Sequence, residues 1–254
     1  MTGQDISFSH LLARFKKNIY QSRKGEVRMA LVLRALAPYL SVRPALTVLD
    51  AAGGLGQMTH AFAHAGHAVT YNDLSAEMLT EAQHLLASSA PKEGRVSAWV
   101  QGPLQTLTGE FDLVLGHAVL EWMVDPEEGI RALCDRVKPG GHLSVLFYNA
   151  ESIRFKNLIK GNLYKVARGT LAGDGKGLTP ISPLDAATIE SALSRAGMQV
   201  DERYGVRCFT DFMWPMFKDN PKLEDQIEWE WVLGLRDDYR AFARYQHFIA
   251  HKPH

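Results

Sequence analysis

The apolar positions of this chain change period several times, and each change marks an element. Val27, Leu31, Leu33, Leu36 and Leu40 recur at helical spacing until Pro44 stops the pattern. A short apolar run at 45–50 enters a glycine-rich turn and gives way to a helical segment through Met58 and Phe62, closed by Gly66. Residues 68–72 read as the next strand, and Ser75 is suited to cap a helix carrying Met78, Leu79, Ala82, Leu85 and Leu86 on one face. Val96, Ala98 and Val100 alternate as a third strand, and 111–116 reads as a buried fourth. Asp125 and Pro126 make an N-cap and first-turn pair for a helix bearing Ile130, Leu133, Cys134 and Val137, which Pro139-Gly140-Gly141 is expected to end. A strand at 143–148, a helix at 185–196 closed by Gly197, and strands at 199–204 and 245–251 complete the reading.

Strands alternating with helices predict an α/β fold: a doubly wound, seven-stranded, mainly parallel sheet in a single domain over 1–254, with a helical extension at 1–44 and a core at 45–150. Two stretches break the alternation, 151–184 and 211–240. They are expected to be insertions over the carboxyl ends of the strands, where open α/β sheets bind ligands. The second carries Trp214, Phe217, Trp229, Trp231 and Tyr239. Core packing is the expected role of these aromatics, with a substrate box as the alternative.

An apolar share of 46% with 22% charged residues excludes disorder as the main state. The longest apolar stretch, 111–124, is broken by Asp112, His117 and Glu121, so no membrane span is expected, and the first residues lack the apolar core of a leader. Cys134 and Cys208 are the only cysteines, and neither CxxC nor HExxH occurs. No metal site and no disulfide framework are therefore expected, and a reducing, cytoplasmic setting fits. The 28 basic and 28 acidic residues cancel, but unevenly. Segment 14–34 holds seven basic residues against Glu26 alone, 150–180 is also basic, and 218–238 is acidic. The basic segments suit a polyanionic partner, and the acidic one is expected to lie away from it.

The chemistry concentrates at the turn Asp50-Ala51-Ala52-Gly53-Gly54-Leu55-Gly56, between a strand and a helix. Its glycines let backbone approach a ligand, and the helix N-terminus presents N–H groups to it. The spacing does not satisfy GxGxxG, because Thr59 occupies the third position, and no Walker lysine follows. Asp73 ends the next strand, where a carboxylate can take both hydroxyls of an adenosine ribose.

Val48-Leu49-Asp50 leading into Gly53-Gly54-Leu55-Gly56, then Asp73-Leu74-Ser75-Ala76-Glu77-Met78-Leu79, Phe111-Asp112-Leu113-Val114 and Lys138-Pro139-Gly140-Gly141, resemble the ordered motifs of class I S-adenosylmethionine-dependent methyltransferases. Ala52 departs from that pattern by standing where the family usually has a glycine. The flanks are similar to a narrower type, tRNA methyltransferases that esterify the carboxylate of 5-carboxymethoxyuridine at the wobble position. That likeness rests on Asn18-Ile19-Tyr20, Lys24-Gly25 with Arg28, His117-Ala118-Val119-Leu120-Glu121-Trp122 with Asp125-Pro126, Leu146-Phe147-Tyr148-Asn149-Ala150, and Gly205-Val206-Arg207. Residues 170–180 depart from it, lacking a lysine run before a Leu-Ser-Pro.

The resemblance implies a Rossmann-like fold, S-adenosyl-L-methionine as cofactor, and the anticodon stem-loop of tRNA as partner, gripped by 14–34 and 150–180. It implies that Arg28 pairs with the cofactor's methionine carboxylate, that Asp50, Ala52, Gly53 and Gly54 form the cofactor turn, and that Asp73 takes the ribose. Leu104 and Gln105 would flank the adenine, and His117 would lie near the methionine end, with a satisfied core histidine as the alternative. A carboxylate nucleophile is ionised at neutral pH and needs no general base, so the expected machinery is a polar cradle. Tyr20, Tyr148, Asn149 and Arg207 are its candidates. A small-molecule methyltransferase and an RNA-binding protein without turnover are the other readings, since fold does not determine substrate.

Overall fold

The structure is a computed structural model that describes residues 22–89, 91, 94–173 and 180–254. Tyr20 and the basic residues Arg14, Lys16, Lys17 and Lys176 lie outside the described residues. In chain order the described elements begin with α1 (Arg23–Ala35), α2 (Ala37–Ser41), β1 (Thr47–Ala51), α3 (Gln57–His64), β2 (Ala68–Asp73), α4 (Ala76–Ser88) and β3 (Arg95–Gln101). They continue with β4 (Phe111–His117), α5 (Pro126–Cys134), β5 (Val137–Tyr148), α6 (Ala150–Ile159), α7 (Leu163–Ala167) and α8 (Ala186–Arg195). The last are β6 (Gln199–Val206), α9 (Leu223–Gly234), α10 (Asp237–Arg240) and β7 (Tyr245–His251).

The strands form one sheet in the order β3-β2-β1-β4-β5-β7-β6. Pairings from β3 across to β5 are parallel, whereas β7 runs antiparallel to both β5 and β6. The carboxyl ends of β1, β2, β4, β5 and β6 therefore share one edge of the sheet, and β7 starts there. On one face α5 and α8 bury Ile130, Leu133, Ile189 and Leu193 against Leu49, Val114, Phe147 and Phe248. On the other, α1, the Leu36 that caps it and α3 bury Val27, Leu31, Leu36 and Phe62 against Val48, Leu113, Leu115 and Ile249. Each of these side chains contributes about 1.5–3 kcal/mol by leaving water, which is why the strands read as continuous apolar runs.

Local capping follows the sequence. The Ser75 hydroxyl accepts from Met78 N–H, Asp125 accepts from Glu127 and Glu128 N–H, and Asp185 accepts from Thr188 N–H. One expected boundary moves: α5 ends at Cys134, and Pro139-Gly140-Gly141 lie inside β5. The sheet absorbs them through a register shift between Phe111 and Leu113 on β4, where a Cβ on Gly141 would crowd the backbone oxygens of Asp112, Lys138 and Phe111 at 3.0–3.1 Å.

One further expectation is overturned at α9 and the loop before it. Trp229 is 60% exposed and Trp214, in the preceding loop, 68% exposed, so neither packs in the core. Trp231 does pack, stacked on Tyr204 at 5.2 Å with the Arg34 guanidinium 4.6 Å from its ring centroid. The acidic segment also meets part of the basic one, as α9 lies against α1. Arg34 pairs with Glu228 at 2.5 Å, Arg23 donates to Gln226 at 2.6 Å, and Lys24 pairs with Asp211 at 2.7 Å. The basic residues at 23–34 are thus largely spent within the chain.

Candidate active site

At the carboxyl edge of β1, the chain turns through Ala52, Gly53 and Gly54 into α3. Asp50, buried under the turn, accepts from the N–H of Thr59 at 2.9 Å and from its hydroxyl at 2.6 Å. Thr59, the residue that spoils the three-glycine spacing, is therefore what holds the turn's carboxyl. Burial pushes Asp50 up to about 6 despite those bonds. Gly53 cannot carry a side chain, because a Cβ there would lie 2.7 Å from the Tyr71 ring and 2.8 Å from the Asp50 carboxyl. Ala52 occupies the left-handed region, at φ 54°, which a glycine fills without strain. Asp73 at the end of β2 accepts from Gly54 N–H at 2.9 Å and Ser75 N–H at 2.8 Å, tying the two turns together. Burial raises its pKa, against those N–H bonds.

These residues line one deep cavity, closed further by Gly102, Pro103, Leu104, His117, Tyr148 and Tyr245. Arg28 reaches it from α1, with its guanidinium 5.7 Å from the Tyr245 ring centroid. His117 Nε2 is 2.8 Å from the Ser144 hydroxyl, which is 2.7 Å from His247 Nε2. One hydroxyl hydrogen cannot serve two acceptors, so at least one of these rings donates to it. Burial, then His247 and Arg28, hold His117 well below its ordinary pKa, so its imidazole is neutral. Glu121 completes the wall: its Oε1 accepts from Tyr148 N–H at 3.2 Å, while its Oε2 is buried without a partner. Burial pushes this carboxyl up to about 7. Gln57 Oε1 is a second buried acceptor without a partner on the same cavity.

A glycine turn under a strand-end Asp, beside a cavity with two orphaned acceptors, is a site shaped for a nucleoside linked to a cationic group. Comparison with known proteins decides which. Residues 49–143 match the model of a methyltransferase domain. The chain is 33% identical to the tRNA 5-carboxymethoxyuridine methyltransferase of Escherichia coli (strain K12), across 98% of this chain and 97% of that protein. The chain belongs to the class I S-adenosylmethionine-dependent methyltransferases. A ubiquinone biosynthesis O-methyltransferase of Xanthomonas euvesicatoria pv. vesicatoria (strain 85-10) is 32% identical over 68% of this chain and 74% of its own. The fold is shared with the magnesium protoporphyrin IX methyltransferase of Synechocystis PCC 6803, at TM-score 0.61 and 18% identity over 99% of this chain and 90% of that one.

The cofactor of this methyltransferase is S-adenosylmethionine, and the cavity fits it. The orphaned oxygens of Gln57 and Glu121 need donors, and the cofactor carries an ammonium that can donate to both. Of the residues expected to bind it, Arg28, Asp50, Ala52, Gly53, Gly54, Asp73, Leu104 and His117 all line the cavity; Gln105 does not, and is exposed on a short 3₁₀ turn. Among the described residues no cluster suits a metal ion, and no helix is long and apolar enough to cross a membrane.

On the substrate side the expected cradle separates. Tyr148 lines the cavity, and burial raises its phenol pKa, so it stays a neutral donor. Asn149 is spent on the backbone, capping α6 through Glu151 N–H and donating to Ala241 and Ala243 carbonyls. Arg207, off the cavity wall and at φ 64°, directs Nε and a terminal nitrogen at Asp211. Burial alone would raise Asp211, yet Arg207, Arg244 and Lys24 hold it far below the carboxylate range, so this pair stays ionised. The loop 207–211 is itself held by buried Glu230 of α9, which accepts from the N–H groups of Cys208, Phe209 and Thr210 and from the Thr210 hydroxyl. Glu121, Gln57, Glu230 and Arg244 carry no local signal of a role at this site; only the fold brings them to this edge.

Proposed function

We propose that this methyltransferase transfers the methyl group to the carboxylate of 5-carboxymethoxyuridine at the wobble position of tRNA, forming its methyl ester. The end-to-end similarity to the tRNA 5-carboxymethoxyuridine methyltransferase carries the reading, because it extends through the substrate-side segments as well as the cofactor half. Bound S-adenosylmethionine would supply a sulfonium-bound methyl, which passes to the attacking carboxylate oxygen as the carbon–sulfur bond breaks and the neutral thioether leaves. Arg28 would take the carboxylate of the cofactor's methionine part, Glu121 and Gln57 its ammonium, and Asp73 the ribose hydroxyls. The substrate side supports a nucleophile that arrives ionised. Asp211 is locked to Arg207, His117 is engaged with Ser144, and Tyr148 holds its proton. What the edge offers instead is cations, which orient a carboxylate. Too firm a grip slows attack, since charge on the carboxylate is lost on the way to the transition state, so positioning must dominate.

For the RNA, α6 and α7 present exposed Lys160, Lys165 and Arg168, the last stacked on exposed Tyr164 at 4.2 Å. That pairing of cation and aromatic suits an unstacked loop base. The second reading, a small-molecule O-methyltransferase, is favoured by the similarity to the ubiquinone biosynthesis enzyme. The deciding experiment offers the protein an anticodon stem-loop bearing 5-carboxymethoxyuridine, the same stem-loop bearing uridine, and a polyprenyl catechol. Methyl gain by the first alone supports the proposal, and gain by the catechol alone replaces it.

A further inference from the structure

Beside Tyr148, outside the cofactor cavity, four cations crowd one carboxylate. Lys24 and Arg207 bond to Asp211, and Arg244 and Lys156 lie close enough to act on it electrostatically. Asp211 is fully used by Lys24 and Arg207. Arg244, half-buried, places its guanidinium 4.1 Å from the centroid of the Tyr148 ring, and its Nε is buried with no hydrogen-bond partner. Its terminal nitrogens have no bond among the described residues either; its backbone N–H donates to Arg207. Lys156 of α6 is half-buried, donates no hydrogen bond among the described residues, and faces Arg244, Lys24 and Lys160. A guanidinium with a buried, undonated N–H costs more than one in water, so a site of this kind is completed by an acceptor that arrives with the ligand.

We infer that Arg244 and Lys156 form an oxyanion-binding site at the mouth of the active-site cavity, taking either the substrate carboxylate or a backbone phosphate of the RNA. The inference rests on the proposed tRNA substrate for the identity of the ligand, while the site itself follows from unpaired cations packed together. Arg244 contacts the anion directly, with the Tyr148 ring holding its plane so that little freedom is lost when the anion binds. Lys156 supplies a second charge. Burial and the neighbouring cations Arg244, Lys24 and Lys160, against Asp211, bring its amine down to about 8, the state expected of a cation lacking its counterion.

The experiment measures binding of two stem-loops to Arg244→Gln, Arg244→Lys and Lys156→Gln in the presence of S-adenosylhomocysteine. One carries 5-carboxymethoxyuridine, the other 5-methoxyuridine, which lacks the carboxylate. If the ligand is the carboxylate, Arg244→Gln loses about tenfold on the first stem-loop and little on the second. If the ligand is a phosphate, both weaken by that factor and the salt dependence of binding becomes shallower. Arg244→Lys falls between wild type and Arg244→Gln in either case. Lys156→Gln, on a half-buried side chain, guards against a folding defect at Arg244. Unchanged binding of both stem-loops by Arg244→Gln and Lys156→Gln overturns the inference. A separate arm needs no RNA: inorganic phosphate protects Lys156 from acylation in wild type but not in Arg244→Gln. If wild type methylates neither stem-loop, the proposed substrate fails, and this arm alone decides the site; acylation unaffected by phosphate then overturns it.

Discussion

Two carboxylates, Asp73 and Asp211, stand at the same edge of the sheet and do opposite work. Asp73 accepts two backbone N–H groups and keeps acceptor capacity toward the cavity. Asp211 is saturated by Arg207 and Lys24 and organises cations around itself. The turns that open the cofactor cavity, after β1 and β2, are thus fixed by bonds within one stretch of chain, residues 50–75. The substrate half is built from α1, α6, the loop 207–211 and the start of β7, which meet only in the folded chain. A site made of turns offers N–H groups and one open carboxylate, and it suits a cofactor of constant shape. A site made of distant side chains can be rebuilt without disturbing the first, which is how one fold serves many substrates.

The largest effect expected from that contrast is at Asp73. Asp73→Ala removes the proposed ribose acceptor and should weaken S-adenosylmethionine binding about a hundredfold or more, two charge-assisted bonds being worth about 1.5–3 kcal/mol each. Calorimetry on a variant that still melts cooperatively measures it, and near-wild-type affinity would break the assignment. Next is Glu230→Ala, which leaves three backbone N–H groups and the Thr210 hydroxyl without their shared acceptor. It should cost about 3 kcal/mol in urea unfolding. Cofactor affinity of the folded fraction should stay near wild type if the two halves are independent.

A smaller effect is expected from pH. Glu121, at about 7, has its folded pKa raised above its ordinary 4.5 by burial. Its contribution to the stability of the cofactor-free protein is therefore full below about 4.5 and is lost as pH rises through about 7. Cationic cofactor favours the ionised form, so its affinity should rise by up to about tenfold between roughly pH 5.5 and 7.5, with proton release. Calorimetry in buffers of different ionisation enthalpy detects that proton, and Glu121→Gln should flatten the profile. The smallest effect is at Ala52. Replacing it by Gly relieves a left-handed residue and should stabilise the protein by about 1 kcal/mol, read as a raised Tm.

The same contrast explains what the sequence disclosed. The strands, the caps at Ser75, Asp125 and Asp185, and the turn from Asp50 to Gly56 were legible because periodicity and capping are local. The role of Thr59 is not legible there, since along the chain it stands only where a third glycine is missing, and its bonds to Asp50 form in the folded turn. Trp214 and Trp229 were expected inside because aromatics usually are, and composition does not say which face of α9 meets α1. Asn149 and Arg207 were expected at the substrate for their chemistry, yet Ala241, Ala243 and Asp211, up to 94 residues away in the chain, take up their polar atoms. Arg244 carried no motif, and only the ring of Tyr148 beneath it marks it.

The central claim is that the acceptor is a carboxylate, and the stability of the transferred methyl tests it most directly. Stem-loop RNA bearing 5-carboxymethoxyuridine is methylated with isotope-labelled S-adenosylmethionine, digested to nucleosides, and treated with mild alkali. The account predicts that the label enters the modified uridine and is released as methanol, restoring the starting nucleoside, because a methyl ester is hydrolysed where an ether or a methylated ring nitrogen is not. Label that survives alkali, or that enters another nucleoside, would contradict it.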